Sequence, residues 1–133
     1  MTPADAQAFV DRYLRAIEGK DLDELNALFD DSLIQIEHPN TFSPKGGRHD
    51  KAAMLEGVKR GASLLREERY TAEEVLVHGE RIACRLHWQG HLAVDLGSQP
   101  AGSVIEAHLA LFMTVRGGRI VELTNYDCVT PFD

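Results

Sequence analysis

The chain has 133 residues, 44% of them hydrophobic and 26% charged, which is ordinary for a globular domain with a core of its own. Its net charge of −7 argues against nucleic acid, whose phosphates require a basic surface, and against an anionic membrane surface. This length predicts a single domain over residues 1–133. No signal peptide and no run of about 20 apolar residues is evident, and both cysteines lie in strand-like runs as expected for reduced core thiols. We therefore expect the protein in the reducing cytoplasm.

The first helix is predicted at the start of the chain. Thr2 can cap it and Pro3 suits its first turn, after which apolar residues recur at helical spacing until Gly19, where the helix should end. Tyr13 lies within this apolar stripe. Its side chain either packs as a core aromatic or directs its hydroxyl group into a cavity.

A second, short helix and the first strand follow. Asp21 is a capping residue for the helix, and Asp30 and Asp31 after it are expected to form a solvated turn. Apolar residues at alternate positions then predict a strand that ends at Pro39. His38 therefore lies where the strand opens into a loop, either as a surface histidine or as a functional one.

The middle of the chain predicts a loop and a third helix. Residues 40–49 are rich in proline, glycine and serine and predict a mobile rim. Asp50 caps the third helix, which should run to about Glu68. Gly57 and Gly61 weaken this helix, and we interpret them as positions of close approach to the sheet.

Two strands over residues 70–77 and 81–92 are predicted next, joined by a turn at residues 78–80. This turn places Glu74 opposite Arg85, a favourable cross-strand charge pair. The second strand alternates cleanly between apolar and polar residues. Its apolar face carries Ile82, Cys84, Leu86 and Trp88.

The last two strands are predicted to form a hairpin around Gly117 and Gly118. Apolar, partly β-branched runs flank this pair, and glycines readily adopt the positive φ angles of a two-residue turn. With these residues as the turn, His108 lies directly opposite Asp127, with Cβ atoms about 5 Å apart. The pair is either an ordinary cross-strand contact or part of a site.

The same register assigns the two faces of the hairpin. The His108–Asp127 face is semi-polar and would form a wall of a cavity, together with Phe112, Leu123 and Asn125. The other face is mostly apolar and needs a cover. Its principal members are Leu109, Leu111 and Met113.

The element order is helix, helix, strand, helix and then a series of antiparallel strands. This order predicts an α+β fold in which three helices pack on one face of a curved, mostly antiparallel sheet, with the C-terminal hairpin at its centre. Segments that carry a resemblance to a known family lie along nearly the whole chain. They are Tyr13, Asp21–Leu25, Ala27–Phe29, Glu37–Pro39, Trp88–Gly90, Gln99–Gly102, Gly118–Glu122 and Tyr126–Asp127.

In these segments and in its element order the chain resembles the nuclear-transport-factor-2-like superfamily, and within it the SnoaL-like polyketide cyclases and ketosteroid isomerases. The resemblance implies a cone in which a curved sheet wraps three helices and leaves a pocket at the wide end. Many members dimerise through the outer sheet face. The resemblance therefore implies a homodimer, and we expect its interface on the face of Leu109, Leu111 and Met113.

The resemblance also implies roles for single residues. Tyr13 falls where the steroid isomerases hold an oxyanion-stabilising tyrosine, and His38 falls where they hold an aspartate base. Their second oxyanion group has no acidic counterpart, because the aligned position is Ala110 or Leu111, so steroid isomerisation by that mechanism is not expected. Asp127 resembles the acid/base aspartate of the SnoaL-like cyclases.

Two functions from different classes are consistent with these residues. The first is acid/base chemistry of isomerase or cyclase type on a small apolar carbonyl compound, without a cofactor or a metal. His38 or the His108–Asp127 pair would take the proton, and Tyr13 or Asn125 would stabilise the enolate oxygen. The substrate would lie against Trp88, Phe112, Asn125 and Leu123. The second is a non-catalytic homodimeric module that binds a small apolar ligand.

We expect these side chains to converge on one cavity, because catalysis requires several titratable groups within reach of one another. The predicted members of the cavity are Tyr13, His38, Trp88, His108, Asn125 and Asp127.

Overall fold

Three helices and six strands make up the computed structural model, which describes residues 1–132. The helices are α1 (Pro3–Glu18), α2 (Leu22–Leu28) and α3 (Lys51–Leu64). The strands are β1 (Phe29–Glu37), β2 (Gly47–Asp50), β3 (Leu65–His78), β4 (Arg81–Leu92), β5 (Val104–Arg116) and β6 (Arg119–Val129).

One curved sheet contains all six strands, in the order β2-β1-β6-β5-β4-β3. Neighbouring strands are antiparallel except β1 and β6, which are parallel. The three helices pack on its concave, inner face. The predicted α+β fold is therefore confirmed, as is the central position of the β5–β6 hairpin.

The predicted helix starts are confirmed in their capping contacts. The Thr2 side chain accepts a hydrogen bond from the backbone N–H of Asp5, whose carboxylate accepts one from the N–H of Thr2. The Asp21 and Asp50 side chains each accept a hydrogen bond from the backbone three residues later, at 3.1 and 2.9 Å. These contacts satisfy N–H groups that would otherwise lack partners.

Three predicted boundaries are wrong, each because strand pairing outweighs a local preference. Asp30 and Asp31 belong to β1 instead of a turn. The predicted loop over residues 40–49 contains the start of β2, which pairs with β1. The third helix ends at Leu64, well before Glu68, because β3 already begins at the next residue and pairs with β4.

Strand β4 behaves as its alternation predicts. Its apolar face is buried, and the predicted Glu74–Arg85 pair forms an ion pair of 2.9 Å across β3 and β4. The main core joins this face to the inner sides of α1 and α2. Its largest fully buried members are Leu14, Leu25, Leu28, Phe29, Leu33, Ile82, Leu86, Leu111, Met113, Ile120 and Leu123.

The β5–β6 hairpin follows the predicted register only next to its turn. Gly117 and Gly118 both have positive φ angles, and Val115 lies opposite Ile120. A β-bulge then leaves Val121 as an extra residue in β6. Beyond a bulge, every residue of the strand is displaced by one position, so its side chains exchange faces.

The bulge makes the predicted His108–Asp127 contact wrong. Asp127 lies opposite Leu109, while His108 lies opposite Cys128. Opposed residues share a face, so the carboxylate faces the helices and the imidazole faces away from them. The two side chains lie on opposite sides of the sheet.

The predicted assignment of the two hairpin faces is reversed for β5. Leu109, Leu111 and Met113 point toward the helices, and Leu111 is only 2% exposed. Phe112 lies on the other side and is 40% exposed. The expectation that the leucines and Met113 form an outer dimer surface is therefore wrong, because the helices of the same chain cover them.

The convex side of the sheet is called the outer face below; across β1, β5 and β6 it carries Ile34, Ile36, Phe112, Thr124 and Tyr126. Both cysteines are free thiols, and only Cys84 is buried. Within residues 1–132, no helix combines the length and the apolar character needed to cross a membrane.

Replacing a leucine on each side of the sheet tests the register. Leu111→Ala should lower the free energy of unfolding by about 2–5 kcal/mol, because it leaves a cavity in a packed core. Leu76→Ala is the matched control, since Leu76 is 57% exposed and should lose less than about 1 kcal/mol. Urea denaturation measures both, and equal losses would contradict the observed register.

Candidate functional site

Two adjacent pockets, called the polar and the aromatic chamber, lie on the inner face of the sheet, and together they are called the cavity below. The polar chamber, about 290 Å³, lies beneath α3 and is lined by residues that include Tyr13, Lys20, Gln35, His49 and Asn125. The aromatic chamber, about 160 Å³, is lined by residues that include Phe42, Trp88, Leu109 and Asp127. Glu68 and Tyr70 line both chambers and mark where they meet.

Helix α3 leaves room for the polar chamber because it covers the sheet without packing tightly on it. None of its residues is fully buried. Gly57 and Gly61 line the chamber, and a Cβ atom at Gly57 would meet only Arg60 Nη2, at 3.7 Å. The interpretation of these glycines as points of close approach to the sheet is therefore wrong. The missing side chains instead leave space beside the cavity.

Asp127 differs from the other polar groups of the cavity in its hydrogen bonding and its pKa. Its Oδ1 atom is buried, and it is the one such side-chain oxygen or nitrogen within residues 1–132 that has no hydrogen-bond partner. Burial, and to a lesser degree the charge of Glu37, raises the pKa of Asp127 to about 6. A carboxyl group with a free oxygen and a pKa near neutrality can both take up and return a proton.

Glu68 is a second buried carboxylate in the cavity, but its oxygens are occupied. It forms an ion pair with Lys20 and accepts a hydrogen bond of 3.3 Å from Trp88 Nε1. The contact with Trp88 holds the indole ring in place in the wall of the aromatic chamber. Glu68 is therefore fixed by its contacts, whereas Asp127 Oδ1 has no hydrogen-bond partner.

Two tyrosines contribute hydroxyl groups. Burial raises the pKa of Tyr13, and the nearby Glu68 and Asp127 carboxyl groups add to the effect. Burial likewise raises the pKa of Tyr70, again with Glu68 contributing. Both side chains are therefore neutral phenols near pH 7, which can donate hydrogen bonds but cannot act as bases.

Four of the predicted site residues line the cavity: Tyr13, Trp88, Asn125 and Asp127. Asn125 and Asp127 lie two positions apart on β6 and share a face, which separates their Cα atoms by about 7 Å. Asn125 also receives a hydrogen bond from Gln35 at 3.1 Å. The structure thus brings donors and, in the adjacent chamber, a titratable carboxyl group and an indole to the same side of the sheet.

Both predicted histidines lie away from this cavity. The His38 ring stacks on Tyr126 at the outer face, with 4.3 Å between ring centroids. His108 stacks on His87 at 5.0 Å and approaches Glu73 on the same outer side. The predicted convergence is therefore wrong for these two residues, since the strand end and the bulge direct them outward.

Two predicted substrate contacts also lie elsewhere. Phe112 packs edge-on against Tyr126 on the outer face, with 5.9 Å between ring centroids. Leu123 is buried in the main core. Phe42 instead supplies the second aromatic side chain of the cavity, packing edge-on against Trp88 at 6.3 Å.

Several cavity residues were missed by the sequence analysis. Gln35 and Glu37 follow Leu33 at every second position of β1, so they share its face, and this spacing could have identified them as inward-facing. Glu68 was assigned to the end of a helix, which concealed its inward position in β3. Within the part of the chain that the structure describes, no three His, Cys, Asp or Glu side chains are placed to hold a metal ion.

Comparison with known proteins gives the family of the chain. The sequence model described as SnoaL-like domain matches residues 10–123, which is most of the chain. No curated protein sequence matches it.

Solved structures share the fold at low sequence identity. AclR of Streptomyces galilaeus, named as a candidate hydroxylase, superposes with a TM-score of 0.79 at 16% identity, over 98% of this chain and 83% of AclR. IdmH of Streptomyces antibioticus, named as a candidate polyketide cyclase, gives 0.78 at 20% identity, over 92% and 91%. A SnoaL-like polyketide cyclase of Agrobacterium tumefaciens gives 0.69 at 16% identity, over 92% and 90%.

The state of Asp127 can be tested through stability. Its pKa is raised from 3.8 to about 6, so the folded protein holds this proton more tightly than the unfolded chain. The stabilisation is present below about pH 4 and is lost as the pH rises through about 6. Asp127→Asn should therefore raise the free energy of unfolding at pH 8 by about 1–2 kcal/mol, allowing for solvent screening, and change it little at pH 4.

Urea unfolding at several pH values measures this difference. Asp11→Asn is the matched control, because Asp11 is exposed on α1 and its amide analogue can still accept the hydrogen bond from Gln7. A constant offset between Asp127→Asn and the native protein at all pH values would contradict the raised pKa.

Proposed function

The chain belongs to the SnoaL-like domain family, and we propose that it performs acid/base chemistry of isomerase or cyclase type on a small apolar carbonyl compound. In this proposal Asp127 takes a proton from the carbon next to the carbonyl group and returns it at another position. The reaction needs no cofactor. Its place is the cavity formed by the polar and aromatic chambers.

The observation that carries this proposal is the free, buried oxygen of Asp127. An unpaired carboxylate in such surroundings destabilises the fold, so it has no structural use there. For proton transfer, however, it is well suited, because Asp127 lines the aromatic chamber and a pKa of about 6 favours exchange near neutral pH.

The surrounding residues suit a neutral, partly apolar substrate. Trp88 and Phe42 offer aromatic surfaces in the chamber that contains Asp127. Tyr13 and Asn125 are neutral groups that can donate to an oxygen carrying developing negative charge. His38 and His108 have no role in this proposal, because neither lines the cavity.

A non-catalytic ligand-binding module is the second candidate. The aromatic chamber favours it, because two aromatic walls and a hydrogen-bonding group are sufficient to bind a small apolar molecule. The two functions differ in what Asp127 does. Binding alone does not require its proton to move.

Proton exchange of a model ketone tests the proposal. The native protein should accelerate exchange of the α-protons of 2-tetralone into D₂O, followed by ¹H NMR. The rate should rise as the pH increases through about 6, because the ionised carboxylate is the base. Asp127→Asn should lower kcat/KM about 10²- to 10⁴-fold, the usual contribution of a general base.

Asp11→Asn again serves as the control and should exchange at the native rate. Binding of 2-tetralone, measured separately by calorimetry, identifies the alternative. If the native protein binds the ketone without accelerating exchange, the binding module is favoured and the enzymatic proposal fails.

We also propose that the chain forms a homodimer through the outer face, in a reducing compartment such as the cytoplasm, to which its free thiols are suited. Phe112 and Tyr126 are exposed on this face. Arg48 and Glu122 line a groove there, and neither has an ion-pair partner within residues 1–132. A second copy related by a two-fold axis could pair these opposite charges, because such an interface is self-complementary.

Sedimentation at micromolar concentration tests this assembly. The native chain should sediment as a dimer, and Phe112→Glu should convert it to a monomer, because a charge would be placed in an apolar contact. Val94→Glu is the control, since Val94 is exposed in the β4–β5 connection. A native monomer, or a dimer that Phe112→Glu leaves intact, would overturn the proposal.

A further inference from the structure

Three polar side chains from three neighbouring strands form a hydrogen-bonded row at the edge of the polar chamber. They are His49 of β2, Gln35 of β1 and Asn125 of β6. His49 Nδ1 lies 2.7 Å from Gln35 Oε1, and Gln35 Nε2 donates to Asn125 Oδ1 at 3.1 Å. Pairing of His49 with Gln35 across β2 and β1 fixes one end of the row.

The row has a direction, because an amide has one donor end and one acceptor end. The oxygen of Gln35 faces His49, so His49 must carry a proton on Nδ1. The amide nitrogen of Gln35 then faces Asn125 and occupies its oxygen. Asn125 Nδ2 has no hydrogen-bond partner within residues 1–132, so this donor remains for a ligand.

Gln35 is the member that sets this direction. It is 8% exposed and bonds at both ends, so turning its amide alone would break two hydrogen bonds in a buried place. The opposite direction requires the Gln35 and Asn125 amides to turn together and His49 to lose the proton on Nδ1. In that state Asn125 would present an oxygen to the cavity.

We propose that His49 and Gln35 are positioning residues that hold Asn125 with its N–H group toward the cavity, so that it binds a carbonyl or enolate oxygen of the ligand. This proposal rests on the proposed function, since it concerns the same cavity and the same oxygen. It also narrows the ligand class. The bound group must accept a hydrogen bond, which suits the oxygen of a ketone or an enolate and disfavours a protonated amine, which can only donate.

The position of Asn125 relative to Asp127 suits this role. The two residues share a face of β6 with Cα atoms about 7 Å apart. An oxygen bound at Asn125 Nδ2 would leave the neighbouring carbon between the two side chains, within reach of the carboxylate. Fixed donors of this kind stabilise the charge that develops on oxygen, and losing one lowers kcat about 10²- to 10³-fold in enzymes that use them.

The direction of the row can be read without any ligand. In ¹⁵N NMR at about pH 8, the His49 ring should show its proton on Nδ1 in the native protein. Gln35→Met preserves the approximate shape of the side chain and removes both hydrogen bonds, so His49 should lose this preference. A native His49 that carries its proton only on Nε2 would overturn the proposal.

The carbonyl stretch of bound 2-tetralone reports the donor itself. The infrared band should lie at lower frequency in the native protein than in Asn125→Ala, and Gln35→Met should move it most of the way to the Asn125→Ala position. Gln89→Met is the matched control, because Gln89 lies on the outer side of β4 and bonds only Glu106. An unchanged band in Gln35→Met would also overturn the proposal.

Kinetics separate a positioning role from a structural one. Gln35→Met should lower kcat for α-proton exchange on the order of 10- to 100-fold with little change in KM, since the donor acts mainly on the enolate. A rise in KM alone would contradict the proposal. If the native protein shows no exchange at all, the enzymatic function fails, while the ¹⁵N and infrared measurements still decide whether the row is directed.

Discussion

The β-bulge at Val121 is the constraint on which the rest of the structure depends. One extra residue in β6 exchanges the two faces of every later position in that strand. The exchange places Asn125 and Asp127 inside the cone, opposite Leu111 and Leu109. Without it, the cavity would lack both the Asp127 carboxyl group and the Asn125 amide.

The apolar side chains of β5 explain why the chain accepts this bulge. Leu111 and Met113 each gain about 1.5–3 kcal/mol when they are buried, which fixes their face toward the helices. In β6, Ile120 and Leu123 are both buried in the same core. They are three positions apart, and in a regular strand residues at that spacing face opposite sides of the sheet. Only an extra residue lets both face inward. The free energy gained by burying these apolar side chains offsets the free-energy cost of burying Asp127.

Much of the fold could be predicted from the sequence, because it depends on local signals. Capping residues mark the helix starts, and strict alternation in β4 identifies its buried face. The hairpin turn was also identified, but a turn fixes register only for the pairs beside it. The odd spacing between Ile120 and Leu123 is the sequence signal that could have predicted the bulge. The site could be predicted only in part. Tyr13, Trp88, Asn125 and Asp127 were predicted and line the cavity. The row through Gln35 was not, because it depends on the parallel pairing of β1 with β6.

The two buried carboxylates show how one cavity can hold a paired acid and an unpaired one. Lys20 and Trp88 satisfy Glu68, so its charge is compensated and its position is fixed. Asp127 has no such partner, and its nearest charged influence, Glu37, has the same sign. Adding a partner to Asp127 would stabilise the fold but would hold its proton equilibrium far from neutrality. In the proposed function, the unsatisfied oxygen is therefore the feature through which this fold would give up stability for proton transfer.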